Sequence, residues 1–360
     1  MRIGILSIAP SPYQRDLFAC MAQVKGVALS VFYWEKWTPD SPWKIDALHA
    51  HESVLDSSVY NVAKKRIHLS KGLPNPVDFD FLIFNGYLNL SYFSYVRRIP
   101  ERVRTVWFGE PFFIPSNRFI ASLYRWLRGP ITNVDGVIAI GKRAYEQYME
   151  LFPGRPRLNQ PYAIDIKSYA RSKREACGDK INILFCGQLI HRKGFDLLLD
   201  AFRALINDNE IEALLELTVV GDGDLRGLID QVESSVRERI HYLGFIQPAE
   251  LPAVFGEADL FVLPSRYDGW GVVINQAIAA ELPIVTTEAV GAADLIDERN
   301  GRVVAPNDSG AIVDAVKDLV LHRNEWPSIG SHNCELSKNI SPESGARNIV
   351  EFLRGLEAGS

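Results

Sequence analysis

Two doubly wound α/β domains facing each other across a cleft are the architecture this sequence predicts, on three observations. Short apolar runs of strand character alternate with helix-length amphipathic stretches twice over, once within residues 1–151 and again from residue 181. This is the pattern of parallel strands joined by crossover helices. A polar, charged stretch from Lys167 to Lys180 separates the two series and suits a linker. At 360 residues the chain also exceeds what one ordinary core serves. The expected domains are residues 1–165 and 181–342 with a linker at 166–180, and the helical pattern at 343–356 is free to pack back on the first domain.

In the first series, Met1 to Pro10 reads as a buried strand. Its apolar run is short, is broken by Gly4 and lacks a small-residue cleavage pattern, which argues against a signal peptide. A turn at Ser11 to Asp16 leads to a helix over Leu17 to Val24 and a strand over Val27 to Tyr33. Trp34, Trp37 and Trp43, set among prolines, read as a surface excursion, either a lid or a packed loop. Phe81 to Gly86 and Arg104 to Glu110 are further strands, each closing on a glycine. Ligands gather at the carboxyl ends of strands in open α/β sheets, so Glu110 and the loop carrying Ser11, Tyr13 and Gln14 are candidates for one wall of the cleft. For Glu110 the competing reading is a solvated loop carboxylate. Arg118 to Arg128 is an amphipathic helical pattern with aromatics and three arginines. It suits either an anionic membrane surface or an apolar stripe packed inward with wetted arginines, the commoner arrangement in globular proteins. A strand at Val134 to Gly141 and a helix ending near Leu151 complete the series.

The turn-rich Phe152 to Arg157 segment and Pro161 to Asp165 precede the second series. Its strands fall at Ile181 to Cys186, Leu215 to Val220, His241 to Phe245, Leu260 to Leu263, Pro283 to Thr287 and Arg302 to Ala305. Helices are expected at Phe195 to Ile206, Leu225 to Val232, Ala249 to Phe255, Val272 to Ala280 and Gly310 to Leu321.

Composition narrows the function classes. With 47% hydrophobic and 23% charged residues the chain is of soluble globular type, and its net charge of -5 gives no global reason to expect a nucleic-acid partner. Cys20, Cys177, Cys186 and Cys334 lack metal-ligand or paired spacing and suit reduced thiols in a cytosol. No segment reaches the roughly 18 continuous apolar residues of a membrane span.

The chain is organised around Pro264 to Ala277, where a strand ends in Asp268-Gly269-Trp270-Gly271 and a helix opens. Such a turn directs backbone N–H groups outward beside the positive end of the helix dipole, which makes an anion site; a simple helix cap by Asp268 is the alternative. Gly187 to Gly194 is a second strand-end turn. Arg192 and Lys193 there oppose the dipole of the following helix, a small cost that an anionic ligand explains. Gly221-Asp222-Gly223 could pass for a dinucleotide turn, but the next strand ends without the carboxylate that a ribose needs, and Asp222 and Asp224 would repel a pyrophosphate. The Asp78/Asp80 and Asp222/Asp224 triplets and seven scattered histidines show no ligand spacing, so no metal is expected. No Gly-x-Ser-x-Gly elbow supports acyl transfer.

Taken in order, Gly187–Gly194, Val219–Gly223, Tyr242–Phe245, Ala258–Ser265, Asp268–Gly271 and Gly291–Asp294 resemble the successive signatures of retaining GT-B glycosyltransferases, the family-4 group. The resemblance spans about Ile181 to Pro306. It implies a donor site in which Lys193 and Arg192 hold the diphosphate of a UDP- or GDP-sugar, beside Gly187, Gln188, Gly221 and Asp222. Gly244 to Gln247, including Phe245 and Ile246, would meet the base. The Gly269, Trp270, Gly271 and Val272 amides would meet phosphate and sugar, Asp268 the reacting region, and Gln276 the ribose. Ser11, Tyr13 and Gln14 would lie on the acceptor side, with Glu110 near the place of the family's catalytic histidine. Three departures from the family pattern stand out: Asp268 and Gln276 replace a glutamate pair, Gln188 replaces an arginine, and the histidine has no counterpart.

The expected reaction is metal-independent transfer of a sugar, with retention, to a hydroxyl of a glycan or lipid-linked glycan. No cofactor is needed, the setting is cytoplasmic, and peripheral contact with the inner face of a membrane is left open. A nucleotide-sugar epimerase or hydrolase and a non-catalytic nucleotide-sugar or glycan-binding partner are the alternatives.

Overall fold

The computed structural model describes residues 1–38, 43, 47–62, 65–170, 180–211 and 214–358. Cys177 and residues 171–179 of the expected linker lie outside them, as do residues 39–42 of the aromatic excursion. The chain divides into two compact units, Met1–Ala163 with Pro342–Ser360, and Ile164–Ser341.

The first unit contains strands β1 (Arg2–Ser7), β2 (Ala28–Tyr33), β3 (Glu52–Val54), β4 (Asp56–Val62), β5 (Lys65–Lys71), β6 (Phe81–Asn85), β7 (Arg104–Gly109), β8 (Gly136–Ala139) and β9 (Arg157–Asn159). Its helices are α1 (Pro12–Gln23), α2 (Tyr92–Tyr95), α3 (Arg118–Arg128), α4 (Lys142–Leu151) and, from the end of the chain, α12 (Pro342–Ala358). Seven strands form a parallel sheet in the order β3-β2-β1-β6-β7-β8-β9. Val31, Ile5, Ile83 and Val106 sit in register across its middle and are buried. Both faces of a parallel sheet are covered, so its strands read as continuous apolar runs. That is why β1, β6 and β7 were legible.

The antiparallel hairpin β4–β5 lies outside this sheet and was not expected. Asp56–Val62 is polar and mostly exposed, so it lacks the alternation that marks a half-buried strand. α12 packs on α1: a Cβ on Gly345 would meet Leu17 Cδ1 at 3.0 Å, and Asn348 Nδ2 donates to Gln160 Oε1 at 3.1 Å.

The second unit contains α5 (Ile166–Tyr169), β10 (Lys180–Cys186), α6 (Phe195–Leu205), β11 (Leu214–Val220), α7 (Ser234–Arg237), β12 (Ile240–Gly244), α8 (Leu251–Glu257), β13 (Leu260–Leu263), α9 (Val273–Ala279), β14 (Ile284–Thr287), β15 (Gly301–Val304), α10 (Ser309–Leu321) and α11 (Trp326–Ser337). Its six strands are parallel in the order β12-β11-β10-β13-β14-β15. Relative to its first strand, β10, this is the doubly wound order 3-2-1-4-5-6.

Three expectations need correction. The stretch Leu225 to Val232 is a 3-10 turn (Arg226–Asp230) rather than a helix; Gly227 has poor helix propensity, and Leu225 N is drawn off to Leu189 O at 2.8 Å. The start of the expected linker belongs to the second unit: Asp165 caps α5 through Lys167 N at 3.2 Å, and Tyr169 is buried with its ring 5.5 Å from Phe255. In α3, read as either membrane-facing or packed inward with wetted arginines, the apolar residues divide: Tyr124 and Leu127 pack inward while Phe119, Ile120, Leu123 and Trp126 are exposed, and Arg128 is buried rather than wetted.

Candidate functional site

In each sheet the strand order reverses beside the first strand, at β10/β13 in the second unit and β1/β6 in the first. Strand-end loops diverge at such a switch point and leave room for a ligand.

In the second unit the loop after β10 forms a 3-10 turn, His191–Lys193, and enters α6 through Gly194 at φ +71°. A Cβ on Gly194 would lie 2.0 Å from Pro264 O, so glycine alone lets this turn rest against the loop after β13. The two loops are then tied by backbone: Arg266 N donates to Arg192 O at 2.8 Å.

This apposition brings the predicted charges together. Lys193 Nζ donates to Asp268 Oδ2, with both side chains largely buried. Arg192 Nη1 lies 3.8 Å from Asp268 Oδ1 and donates to Tyr267 O at 3.0 Å. Two cations from one strand end thus converge on one carboxylate from another, at the switch point of the sheet.

Asp268 is fixed by its backbone, since its N–H donates to Ala289 O at 3.1 Å and its C=O accepts from Gly291 N at 3.2 Å. Gly271 takes φ +86°, and a Cβ there would crowd Val290 Cγ1 at 2.8 Å. Trp270, expected at the donor, is buried: it gives its Nε1–H to Asn275 Oδ1 at 2.8 Å, and its C=O accepts from Ala292 N at 2.7 Å. Gln276 lies in the first turn of α9, and its Oε1 is buried with no hydrogen-bond partner among the described residues. A buried acceptor left unpaired costs stability, so a ligand donor at this point would repay it.

The remaining predicted positions ring the same end of the sheet. Gly187 N donates to Val220 O at 3.0 Å, and Gly221 N to Gly244 O at 2.8 Å, so the ends of β10, β11 and β12 are stitched in sequence. Gln188 and Asp222 are exposed, Phe245 is half exposed, and Ile246 and Val272 are partly exposed. Cys186 at the end of β10 is buried, and that burial pushes its thiol up to about 12 against the opposing pull of Lys193, which favours the neutral thiol over the thiolate.

One residue that sequence reading passed over organises the site. Arg266 forms a fork–fork pair with Asp196 in the first turn of α6, both N–H···O distances being 2.7 Å. It also donates to His191 O at 2.7 Å and to Asn307 Oδ1 at 2.6 Å. Burial alone would raise the Asp196 carboxyl, but the Arg266 bonds and charge outweigh it and hold it below its ordinary value. The available signal was an acid at the start of a helix that directly follows two cations.

In the first unit Ser11 and Gln14 are buried within the fold. Ser11 Oγ donates to Gln14 Oε1 at 3.2 Å, Gln14 Nε2 to Asn85 Oδ1 at 3.0 Å, and Asn85 Nδ2 to Phe108 O at 2.9 Å. Their polar atoms brace the ends of β1, β6 and β7. Tyr13 is more open and stacks edge-on against Tyr162, ring centroids 4.7 Å apart. Glu110 is partly exposed at the end of β7 and accepts from Tyr162 OH at 3.0 Å. Burial and the Glu110 charge raise the Tyr162 hydroxyl well above its ordinary value, so it stays a donor. Of the acid triplets, Asp80 pairs with Arg2 at 2.7 Å and Asp222 caps Gly223 N at 2.8 Å.

Residues 180–322 match the family described as glycosyl transferases group 1. That match lies within the second unit, so this part of the chain is similar to group 1 glycosyltransferases, and the two doubly wound sheets have the GT-B fold of the solved structures below. Among particular relatives, an uncharacterized glycosyltransferase of Methanocaldococcus jannaschii is 31% identical over 151 residues, 41% of this chain and 37% of that protein. A GDP-mannose-dependent alpha-(1-6)-phosphatidylinositol monomannoside mannosyltransferase of Mycobacterium tuberculosis is 26% identical over 197 residues, 52% of this chain and 50% of that one. The chain thus spans about half or less of the length of these two relatives. Sucrose-phosphate synthase from Thermosynechococcus elongatus has the same fold, with a TM-score of 0.73 at 18% identity over 100% of both chains. So does Anabaena HepE in complex with UDP, with a TM-score of 0.72 at 16% identity, covering 99% of this chain and 100% of that one.

Proposed function

We propose that this protein transfers a sugar from a nucleotide diphosphate donor to a hydroxyl of a glycan or lipid-linked glycan, with retention at the anomeric carbon, in polysaccharide or glycoconjugate assembly. The observation that carries the reading is the convergence of Lys193 and Arg192 on Asp268 at the switch point of the second unit. HepE is described in complex with UDP and with UDP-glucose, and the mycobacterial relative as GDP-mannose-dependent. A UDP- or GDP-sugar is accordingly the donor class.

As the bond from the anomeric carbon to the phosphate oxygen breaks, negative charge grows on the diphosphate and positive charge on the sugar. Lys193 and Arg192 are held in place before the reaction and stabilise the first; Asp268 faces the second or a sugar hydroxyl. With a diphosphate present, the two cations have a stronger anion than a single carboxylate to pair with. Gln276 Oε1, buried and without a partner among the described residues, accepts from a ribose hydroxyl. The new bond forms from the acceptor oxygen to the anomeric carbon on the face the phosphate leaves. The acceptor proton passes to the departing phosphate oxygen, so this route uses neither a protein nucleophile nor a metal.

The test is turnover of candidate UDP- and GDP-sugars by the Lys193→Ala variant. Loss of one preorganised charge contact predicts a fall in kcat of about 100-fold or more, with product of unchanged anomeric configuration. Undiminished turnover of every donor that works would refute the assignment.

A further inference from the structure

α3 has three faces rather than two. At 100° per residue, Tyr124, Leu127 and Arg128 form the buried side. Trp126, Phe119 and Leu123 form a contiguous second arc, each at least 46% exposed and Phe119 reaching 89%, and Ile120, in the first turn at the edge of the buried side, is 45% exposed. Arg118, Ser122 and Arg125 form the third, also exposed. The loop before the helix exposes two further apolar side chains, Phe113 and Ile114, both more than half exposed, with the Phe113 ring 6.1 Å from that of Tyr124. Phe93 of α2 stacks on Trp126 at 4.5 Å and continues the arc toward the exposed Arg97 and Arg98.

The platform is built into the fold. Asn117 caps α3 by accepting from Phe119 N at 3.0 Å and Ile120 N at 3.2 Å. Arg128 holds its other end, its Nε donating to Tyr124 O at 3.2 Å and its guanidinium lying 4.8 Å over the Phe112 ring. The helix therefore presents its apolar arc without first having to fold. Contiguous exposed apolar surface of this kind marks an interaction site.

Charge identifies the occupant. No Asp or Glu occurs between residues 111 and 134, although the whole chain carries a net charge of -5. Bulky apolar side chains flanked by arginines, on a helix without acids, match the boundary between acyl chains and anionic headgroups. A second copy docked isologously would set the same arginines against each other, a repulsive arrangement. We propose that α3, with Phe113 and Ile114, docks this protein on the surface of an anionic bilayer. The inference does not depend on sugar transfer, because its readout is lipid binding; taken with that reading, it favours a lipid-linked acceptor over a free glycan.

The test is flotation of the full chain with vesicles of phosphatidylcholine alone and with 30% phosphatidylglycerol. The chain should float with the anionic vesicles and release as salt screens the arginines. Phe119→Ser with Leu123→Ser should lower the bound fraction at least tenfold; both residues are exposed, and unchanged circular dichroism and melting verify the fold. Arg118→Gln with Arg125→Gln should remove the preference for anionic lipid. Absence of flotation would overturn the proposal, as would flotation that neither double variant affects. A concentration-dependent dimer in lipid-free solution that the serine variant abolishes would assign the face to a second copy instead.

Discussion

Lys193, Asp268 and Gln276 show what was readable at the scale of single residues. Lys193 was marked by its charge, because a cation at a helix start carries a cost that calls for a reason; Asp268 was marked by its place in a strand-end turn and Gln276 by the family resemblance. Their mutual placement was not readable, since it depends on two loops 75 residues apart lying side by side. Gln276 offers a test that separates stability from binding. Its Oε1 is buried and unpaired among the described residues, so Gln276→Met removes a desolvated acceptor and should leave the melting temperature unchanged or higher. The ribose bond lost is worth about 1 kcal/mol, and nucleotide affinity measured by calorimetry should fall about fivefold. A lower melting temperature with unaltered affinity would mean the amide serves the fold.

At the scale of elements, strands buried on both faces were legible to within a residue or two, as with Leu260–Leu263. Elements held by tertiary contacts were not. The hairpin β4–β5 lacks an apolar face, and α11 carries Gly330, Asn333 and Ser337 among its buried positions, which blurs a helical stripe. Two predictions belong here. Gly194→Ala forces a left-handed conformation that costs about 1–2 kcal/mol and drives a methyl into Pro264 O. Thermal denaturation should show a loss of roughly 4–8 °C together with weakened nucleotide binding. The Asp196–Arg266 pair sets a pH dependence: the folded carboxyl titrates below its unfolded value, so its contribution is complete above about pH 4 and is lost as pH falls through the folded value. The gap in melting temperature between wild type and Asp196→Asn should therefore be widest near neutrality and close in acid; a gap independent of pH would show that the pair adds packing but no charge stabilisation.

At the scale of the whole molecule, the two doubly wound sheets follow from the repeated alternation of strand and helix, and the GT-B class from six motifs falling in order. The functional reading has the same asymmetry as the motifs, with dense support in the second unit and sparse support in the first. There, Ser11 and Gln14 turned out to brace strand ends, while Glu110 and Tyr13 are partly exposed. α3 adds a surface that amphipathicity announced but whose orientation only the fold decides. The central claim is that Lys193 and Arg192 with Asp268 form a diphosphate-sugar site, and thermal shift with nucleoside diphosphates and nucleotide sugars tests it most directly. The account predicts that one uracil or guanine nucleotide family raises the melting temperature of the wild type in a concentration-dependent way and that Lys193→Ala abolishes the shift. Stabilisation by neither family, or a shift that survives Lys193→Ala undiminished, would contradict it.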